Sequence, residues 1–288
     1  MSVLLDGLSL GAVYALIALG YTMVYGIAKM LNFAHGDIIM VGAYTIFAFT
    51  TSFSGNIFVG FAISVVVCCI MGIVIEKLAY KPLRGASPLA VLITAIGVSY
   101  LLQGIAQLTF GAKPHQVSLP DFGKVDILGS KISVNTLITL IVGAIIMAAL
   151  TVFVKKTRTG RAMLAVSEDR GAAQLMGVSV NSIIMITFAI GSALAAFASL
   201  FYLMQIPAVE PTLGSIPGIK AFTAAVIGGI GSIPGAMIGG VMLGVVEKIC
   251  LSIPAIKDYT TAIEFSLLIV ILLVRPIGLL GKKRREKV

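Results

Sequence analysis

The chain has 288 residues, of which 58% are hydrophobic and 11% charged, and its mean hydropathy is +1.07. A water-soluble globule needs far more polar surface, so the composition excludes a soluble protein and places the chain in a lipid bilayer. The net charge of +9 does not indicate nucleic acid binding, because the positive charges lie mostly in short loops and at the C-terminus, where anionic lipid is the expected partner.

Apolar runs of about 20 residues, the length that crosses a bilayer, recur along the chain. Residues 59–75 are apolar on every face, whereas strands of a lipid-facing barrel alternate apolar and polar residues, so helices are predicted and a barrel is excluded. The predicted helices cover residues 4–28, 37–53, 57–76, 88–110, 134–154, 182–206 and 258–275. With the glycine-rich segment discussed below, the sequence predicts an all-α integral membrane bundle of about eight spans, forming a single domain over residues 1–288.

The basic residues divide unevenly between the two sides of the predicted bundle. Fifteen of the 21 share one side: Lys29, Lys77, Lys81, Arg84, Lys155, Lys156, Arg158, Arg161, Arg170, Arg275, Lys282, Lys283, Arg284, Arg285 and Lys287. Because Lys and Arg accumulate on the cytoplasmic side, the sequence predicts an outside N-terminus and a cytoplasmic C-terminus. Residues 111–133 then form an external cap or hairpin.

The segment "LNFAHGD", residues 31–37, interrupts the apolar sequence between the first two predicted helices. Two interpretations stay open. It is either a turn at the membrane surface, in which Asn32 and Asp37 bond exposed backbone groups, or a partly buried, unwound segment that lines a cavity. In the second case the candidate pathway residues are Asn32, His35, Gly36 and Asp37.

Residues 216–250 are rich in glycine, too long for one helix, and interrupted at "GGIGSIPGA". The pattern predicts two short helices that meet near Gly231–Pro234 in a re-entrant or hairpin element. Non-helical backbone at membrane depth is typical of transport pathways, but closely spaced small residues also serve helix packing alone. Both interpretations stay open for Gly228, Gly229, Gly231 and Gly235.

The loop of residues 155–181 contains "SEDRGAAQLMGVSV", which is charged, then helical, then stopped near Gly177. Glu168 and Asp169 suit the N-terminal end of a short helix, and Ala172 and Ala173 belong to its apolar side. Such a helix is suited to docking into a groove on a partner.

Three motifs resemble a known family: "LNFAHGDIIMVGAY" (31–44), "GGIGSIPGAMIGG" (228–240) and "RPIGLLG" (275–281). In this order they are similar to the branched-chain amino acid ABC transporter permeases of the LivH type, from the first helix to the tail. The resemblance implies a multi-pass permease subunit of an ATP-driven importer, which moves leucine, isoleucine and valine across the bacterial inner membrane by alternating access.

The resemblance also implies partners. These are a second, LivM-like permease, two cytoplasmic LivG/LivF-like ABC ATPases, and a periplasmic or extracellular solute-binding protein. The sequence has no G-x-x-x-x-G-K-[ST] motif, so ATP hydrolysis is expected in the partners. We expect no catalytic residue, no metal site and no bound cofactor in this chain.

The loop of residues 155–181 is similar to the coupling loop of ABC permeases, whose pattern is Glu-Ala-Ala, three residues, Gly. Ala172, Ala173 and Gly177 match it, and Gly171 stands in place of the Glu. The candidate residues for coupling to the ATPase are Glu168, Asp169, Arg170, Ala172, Ala173 and Gly177.

Other functions remain open from the residues alone. One alternative is a related ABC importer for urea, short amides or other amino acids. Another is an independent secondary transporter or channel in which Asp37, His35 and Glu264 carry protons or ions. An intramembrane enzyme is disfavoured, because His35 and Asp37 do not face each other on a helix and no nucleophile lies near them in the sequence.

Overall fold

The computed structural model describes residues 2–52, 56–120, 122–127 and 130–281. Residues 282–288, which hold five of the fifteen basic residues named above, lie outside this part of the chain. The described helices are α1 (Ser2–Ala28), α2 (His35–Ser52), α3 (Ile57–Ile75, followed by a π-helical turn over Glu76–Tyr80), α4 (Pro88–Phe110), α5 (Val134–Lys156), α6 (Arg158–Glu168), α7 (Arg170–Leu175), α8 (Val180–Gln205), α9 (Ser215–Gly228), α10 (Ile233–Ser252) and α11 (Thr260–Val274). The described strands are β1 (His115–Gln116), β2 (Lys124–Ile127), β3 (Ser130–Ser133) and β4 (Ala208–Val209).

Six of the described helices are long and apolar enough to cross a membrane: α1, α3 with its π-helical turn, α4, α5, α8 and α10. The helices α2, α9 and α11 have 18, 14 and 15 residues, so each is about 21 to 27 Å long. The prediction of an all-α membrane bundle is therefore confirmed, and the observed helix boundaries lie close to the predicted ones.

Helix α1 lies at the centre of the bundle and is buried along most of its length. It packs antiparallel to α10 through small residues: Gly7 lies against Val245, and Gly11 against Val241. A Cβ atom at Gly240 would overlap the backbone of Ala15. Such close backbone approach is how helices associate in lipid, where apolar side chains gain little from burial against each other.

The bundle has two distinct ends. At the first, which we call the helical end, Ala28 closes α1, and its carbonyl accepts a hydrogen bond from Arg170 of α7. Gly26 and Gly231 also meet there. At the opposite, strand end, β1 pairs antiparallel with β4, and β2 forms a hairpin with β3. The predicted hairpin in residues 111–133 is thus present.

The glycine-rich segment is divided as predicted, with one difference. Helices α9 and α10 are separated by residues 229–232, where Gly229 and Gly231 have φ angles of 104° and 93°. Glycine adopts this left-handed region without steric cost. The second helix is not short, however, because α10 continues for 20 residues along α1 and is long enough to cross the membrane.

Candidate functional site

The chain between α1 and α2 turns back into the bundle. Lys29, the first residue after α1, has a φ of 54°, and residues 29–34 are not helical. His35, the first residue of α2, lies against Gly20 of α1. Gly20 is eight residues before the end of α1, so α2 begins about 12 Å inside the helical end. The motif at residues 31–37 therefore lies within the bundle and is not a surface turn.

Asp37 sits in the first turn of α2, and only 2% of it is exposed. Its carboxylate Oδ1 accepts a hydrogen bond of 2.9 Å from Nε2 of Gln103 on α4. The same nitrogen lies 3.3 Å from the hydroxyl oxygens of Ser99 and of Ser215, the first residue of α9. A carboxylate at this position is stabilised by the positive end of the helix dipole. The cluster therefore joins α2, α4 and α9 at the depth where α2 begins.

Asn32 and His35 are also buried, and Asn32 keeps a polar atom without a partner among the described residues. Asn32 Oδ1 accepts a hydrogen bond of 2.9 Å from the Tyr80 hydroxyl, whereas its Nδ2 has no hydrogen-bond partner among the described residues. The His35 ring packs edge-on against Tyr21 at 4.9 Å between centroids, and it also forms a hydrogen bond with the backbone of Ile17 in α1. Buried polar groups without partners are costly, so they mark a place where a further polar group is accommodated.

The N-termini of α2 and α9 meet head to head. A Cβ atom at Gly214 or at Gly36 would overlap the backbone of the other residue, and Gly218 lies directly against Gly36 as well. Because α2 begins inside the bundle, its contact with Gly214 places the start of α9 inside the bundle as well. Helix N-termini carry unpaired backbone N–H groups and partial positive charge, which favours anionic groups nearby.

The four glycines predicted for the pathway lie elsewhere, at the helical end. Gly228 and Gly235 are in backbone contact, and Gly229 contacts the chain near Gly281. The backbone N–H groups of Leu279 and Leu280 donate hydrogen bonds to the carbonyls of Ile227 and Gly228, at 2.8 and 2.9 Å. The structure therefore does not bring these glycines together with residues 32–37. Gly228 and Gly229 contact the "RPIGLLG" segment, whereas Gly235 lies against Gly228 and the exposed Gly231 faces Gly26.

The loop of residues 155–181 forms two helices, α6 and α7, at the helical end. Asp169 caps α7 by accepting a hydrogen bond of 3.0 Å from the Ala172 N–H. Ala173 is buried, and Gly177 ends the segment with a φ of 82°. Burial, and secondarily the charge of Arg84, lower the pKa of Arg170, which is hydrogen-bonded to the end of α1.

The tip of this loop is apolar and exposed. Leu175 and Met176 are 91% and 83% exposed, although they lie next to residues that are fixed against α1. Glu168 is also exposed, beside Asp169. A rigid, exposed apolar tip is typical of a protein interface, and its residues follow the predicted coupling segment.

Sequence reasoning missed several of these residues. Ser99, Gln103 and Gln107 are spaced at i, i+4 and i+8 and form one polar stripe on the apolar helix α4, a signal that was available in the sequence. Tyr80 and Ser215 gave no such signal, because single hydroxyl groups in apolar helices are common.

Comparison with known proteins identifies the family. The family described as "Branched-chain amino acid transport system / permease component" matches residues 3–272. The chain belongs to this permease family. It is 44% identical to the high-affinity branched-chain amino acid transport system permease protein BraD of Pseudomonas aeruginosa, over 99% of this chain and 97% of that protein. It is 41% identical to the permease protein LivH of Escherichia coli K12, over 98% of this chain and 96% of that protein.

A solved structure has a related fold. A chain of "PsaBC from Streptococcus pneumoniae in complex with Fab" matches with a TM-score of 0.51 and 17% identity, over 96% of this chain and 93% of that chain. This likeness concerns the fold alone. With the six candidate spans, the family match establishes a multi-pass membrane protein that acts as a transport permease, as the three motifs predicted.

Proposed function

We propose that this chain is the LivH-type permease subunit of an ATP-driven importer for leucine, isoleucine and valine in a bacterial inner membrane. The observation that supports this most strongly is the near full-length similarity to two permeases of branched-chain amino acid transport systems. The proposed partners are a second, LivM-like permease, two LivG/LivF-like ATPases that hydrolyse ATP, and a solute-binding protein.

The proposed orientation places the helical end in the cytoplasm. The described basic residues on the predicted cytoplasmic side all belong to segments of this end, from Lys29 to Arg275. Lys and Arg are enriched on the cytoplasmic side of membrane proteins, which supports an outside N-terminus and a cytoplasmic C-terminus. The exposed tip at Leu175 and Met176 is then available to the ATPases.

We propose that the amino acid passes along the polar face shared by α2, α4 and α9. Asp37 and Gln103 provide polar groups for its charged ends, and Asn32 offers its unpaired Nδ2 beside the buried His35. Polar groups at membrane depth mark transport paths by default. In this scheme Gly36 allows the two helix starts to meet. Gly228, Gly229 and Gly235, packed against neighbouring backbone, form the seal at the cytoplasmic end, with the exposed Gly231 at its surface.

The outer side of α4 is the proposed contact with the second permease. Its polar stripe is only partly covered by this chain, since Gln103 is half-buried and Gln107 is exposed. On the same helix Gly97 and Gly104 have no atom within 4 Å of an added Cβ, which leaves room for a helix to approach closely. The path would therefore run between the two permeases.

Uptake by the reconstituted complex tests the function. We expect the chain, assembled with its partners in liposomes, to accumulate labelled leucine, isoleucine and valine only with internal ATP and the solute-binding protein. Uptake of urea or short amides with no uptake of leucine would support the related importer. Gradient-driven uptake by the chain alone would support a secondary transporter and contradict the proposal.

A single substitution tests the coupling role of the loop. Leu175→Glu adds a charge at an exposed position, so it should leave the fold intact and lower ATPase association and substrate-stimulated ATP turnover at least about tenfold, a loss of about 1.4 kcal/mol. Lys113→Glu, exposed near the strand end, is the matched control and should not change the turnover. If Leu175→Glu keeps the same ATP turnover as Lys113→Glu, the loop does not dock onto the ATPase.

A further inference from the structure

A cluster of charged residues lies outside the proposed path, buried where α1, α9, α10 and α11 meet. Lys220 Nζ lies 2.8 Å from Glu247 Oε1 and 3.2 Å from Glu264 Oε2. The hydroxyl of Tyr14 donates a hydrogen bond of 2.7 Å to Glu247 Oε2, and Lys220 Nζ lies 5.9 Å from the Tyr14 ring centroid. We call Lys220, Glu247 and Glu264 the triad.

The triad is withdrawn from water. The side chains of Lys220, Glu247 and Glu264 are 8%, 12% and 1% exposed. Other groups that face it are few: Tyr14 on α1, Tyr202 on α8 and the Cys250 thiol on α10. Among the described residues, no further cation lies in contact with the triad, so Lys220 is the positive charge available to two carboxylates.

Full ionisation would leave the triad with a net charge of −1 in an apolar interior. An uncompensated buried charge costs several kcal/mol, and such groups usually take up or release a proton instead. The geometry shows where a proton would go. Both carboxylates converge on one ammonium group: besides Glu247, Lys220 Nζ donates a hydrogen bond of 3.3 Å to Glu264 Oε1. Glu264 Oε2, 3.2 Å from the same nitrogen, has no other partner among the described residues.

We propose that the triad is a proton-binding site that holds one proton between Glu264 and Glu247 at neutral pH. The protonated carboxyl group donates a hydrogen bond to the ionised one, and Lys220 balances the remaining negative charge. The neutral triad fixes α9 to α10 and α11, five residues beyond Ser215 at the start of α9. The proposal rests on charge and burial and holds whichever solute the permease carries.

Infrared spectra of the purified full-length chain in lipid nanodiscs, compared between the wild type and its variants, test whether the triad holds a proton. At neutral pH the wild type should show the C=O stretching band of one protonated carboxyl group, and the band should shift in D₂O. Glu264→Gln and Glu247→Gln should each abolish the band, because the remaining carboxylate then pairs with Lys220. Asp258→Asn, exposed next to α11, is the control and should leave the band unchanged.

Two outcomes would overturn the proposal. One is that spectra of the wild type and Glu264→Gln superimpose in the carboxyl region. The other is a band that persists at full intensity in Glu247→Gln, which would mean that the proton does not depend on the pair. A second measurement uses the wild type itself. Because the folded chain would bind one more proton than the unfolded chain, thermal stability should fall as pH rises, and Glu264→Gln should remove that dependence. An unchanged dependence in the variant counts against the proposal.

Discussion

Two interruptions divide helices of this bundle, and they are stabilised in different ways. The polar break, which comprises residues 29–34 and the first residues of α2, 35–37, leads into the middle of the bundle. Its side chains bond to Tyr80 and Gln103. The glycine break, residues 229–232, lies at the helical end and is held by backbone contacts between Gly228 and Gly235. One break keeps a polar atom available, and the other is packed closely where Gly228, Gly229 and Gly235 meet neighbouring backbone.

This difference separates two roles that the sequence alone could not separate. Backbone that leaves the helix inside a membrane must be covered by protein or must line a water-filled cavity. The start of the glycine break, at Gly228 and Gly229, is covered by the chain of residues 277–281. The polar break retains the Nδ2 of Asn32, which has no partner among the described residues. We therefore assign transport contacts to the polar break and closure to the glycine break.

The largest effect is expected at the glycine break. In Gly228→Ala the new Cβ atom would overlap the backbone of Gly235, and backbone cannot give way as a flexible side chain can. We expect the free energy of unfolding to fall by about 3 kcal/mol, measured by thermal unfolding in detergent. Gly97→Ala is the matched control, since no atom lies within 4 Å of its Cβ. Equal stability of the two variants would disprove tight packing at this break.

At the polar break, Asp37 allows charge and hydrogen bonding to be separated. Asp37→Ala leaves Gln103 without its buried partner and should cost about 1 to 3 kcal/mol of stability. Asp37→Asn keeps an acceptor for Gln103, so its stability should stay near that of the wild type, while leucine uptake by the assembled transporter should fall about tenfold. If uptake in Asp37→Asn equals that of the wild type, the negative charge has no part in transport.

A smaller effect is expected from the hydrogen bond that holds the polar break to the π-helical turn. Tyr80→Phe removes the hydroxyl that donates to Asn32 and should lower the free energy of unfolding by about 1 kcal/mol. Tyr100→Phe, at a position that is 69% exposed, should change it little. A thermal unfolding midpoint for Tyr80→Phe that matches the one for Tyr100→Phe would show that this hydrogen bond does not stabilise the break.

Much of the fold could be predicted from the sequence, because helix lengths follow directly from apolar runs and breaks follow from glycine and polar residues. The N-terminal cap of α7 at Asp169 was readable for the same local reason. The depth of residues 31–37 was not, since it depends on Gly20 leaving room for His35.

The partners of the site were also beyond local sequence reasoning. Gln103 is 66 residues from Asp37 along the chain, and Ser215 is 112 residues from Gln103. Their contacts depend on how α2, α4 and α9 meet. The polar stripe on α4 indicated that this face contacts other polar groups. It did not indicate that α2 and α9 provide those groups.

The most direct measurement is thiol labelling at Gln103→Cys in the assembled transporter, with the native Cys68, Cys69 and Cys250 replaced by serine. If the polar break borders the path, a charged, water-soluble methanethiosulfonate reagent should modify Cys at position 103, and the substrate leucine should slow that reaction. Leu108→Cys, at a residue of α4 that is 90% exposed, reports labelling that does not depend on the path. Unprotected labelling at position 103, or no labelling while leucine uptake continues, would place the path elsewhere.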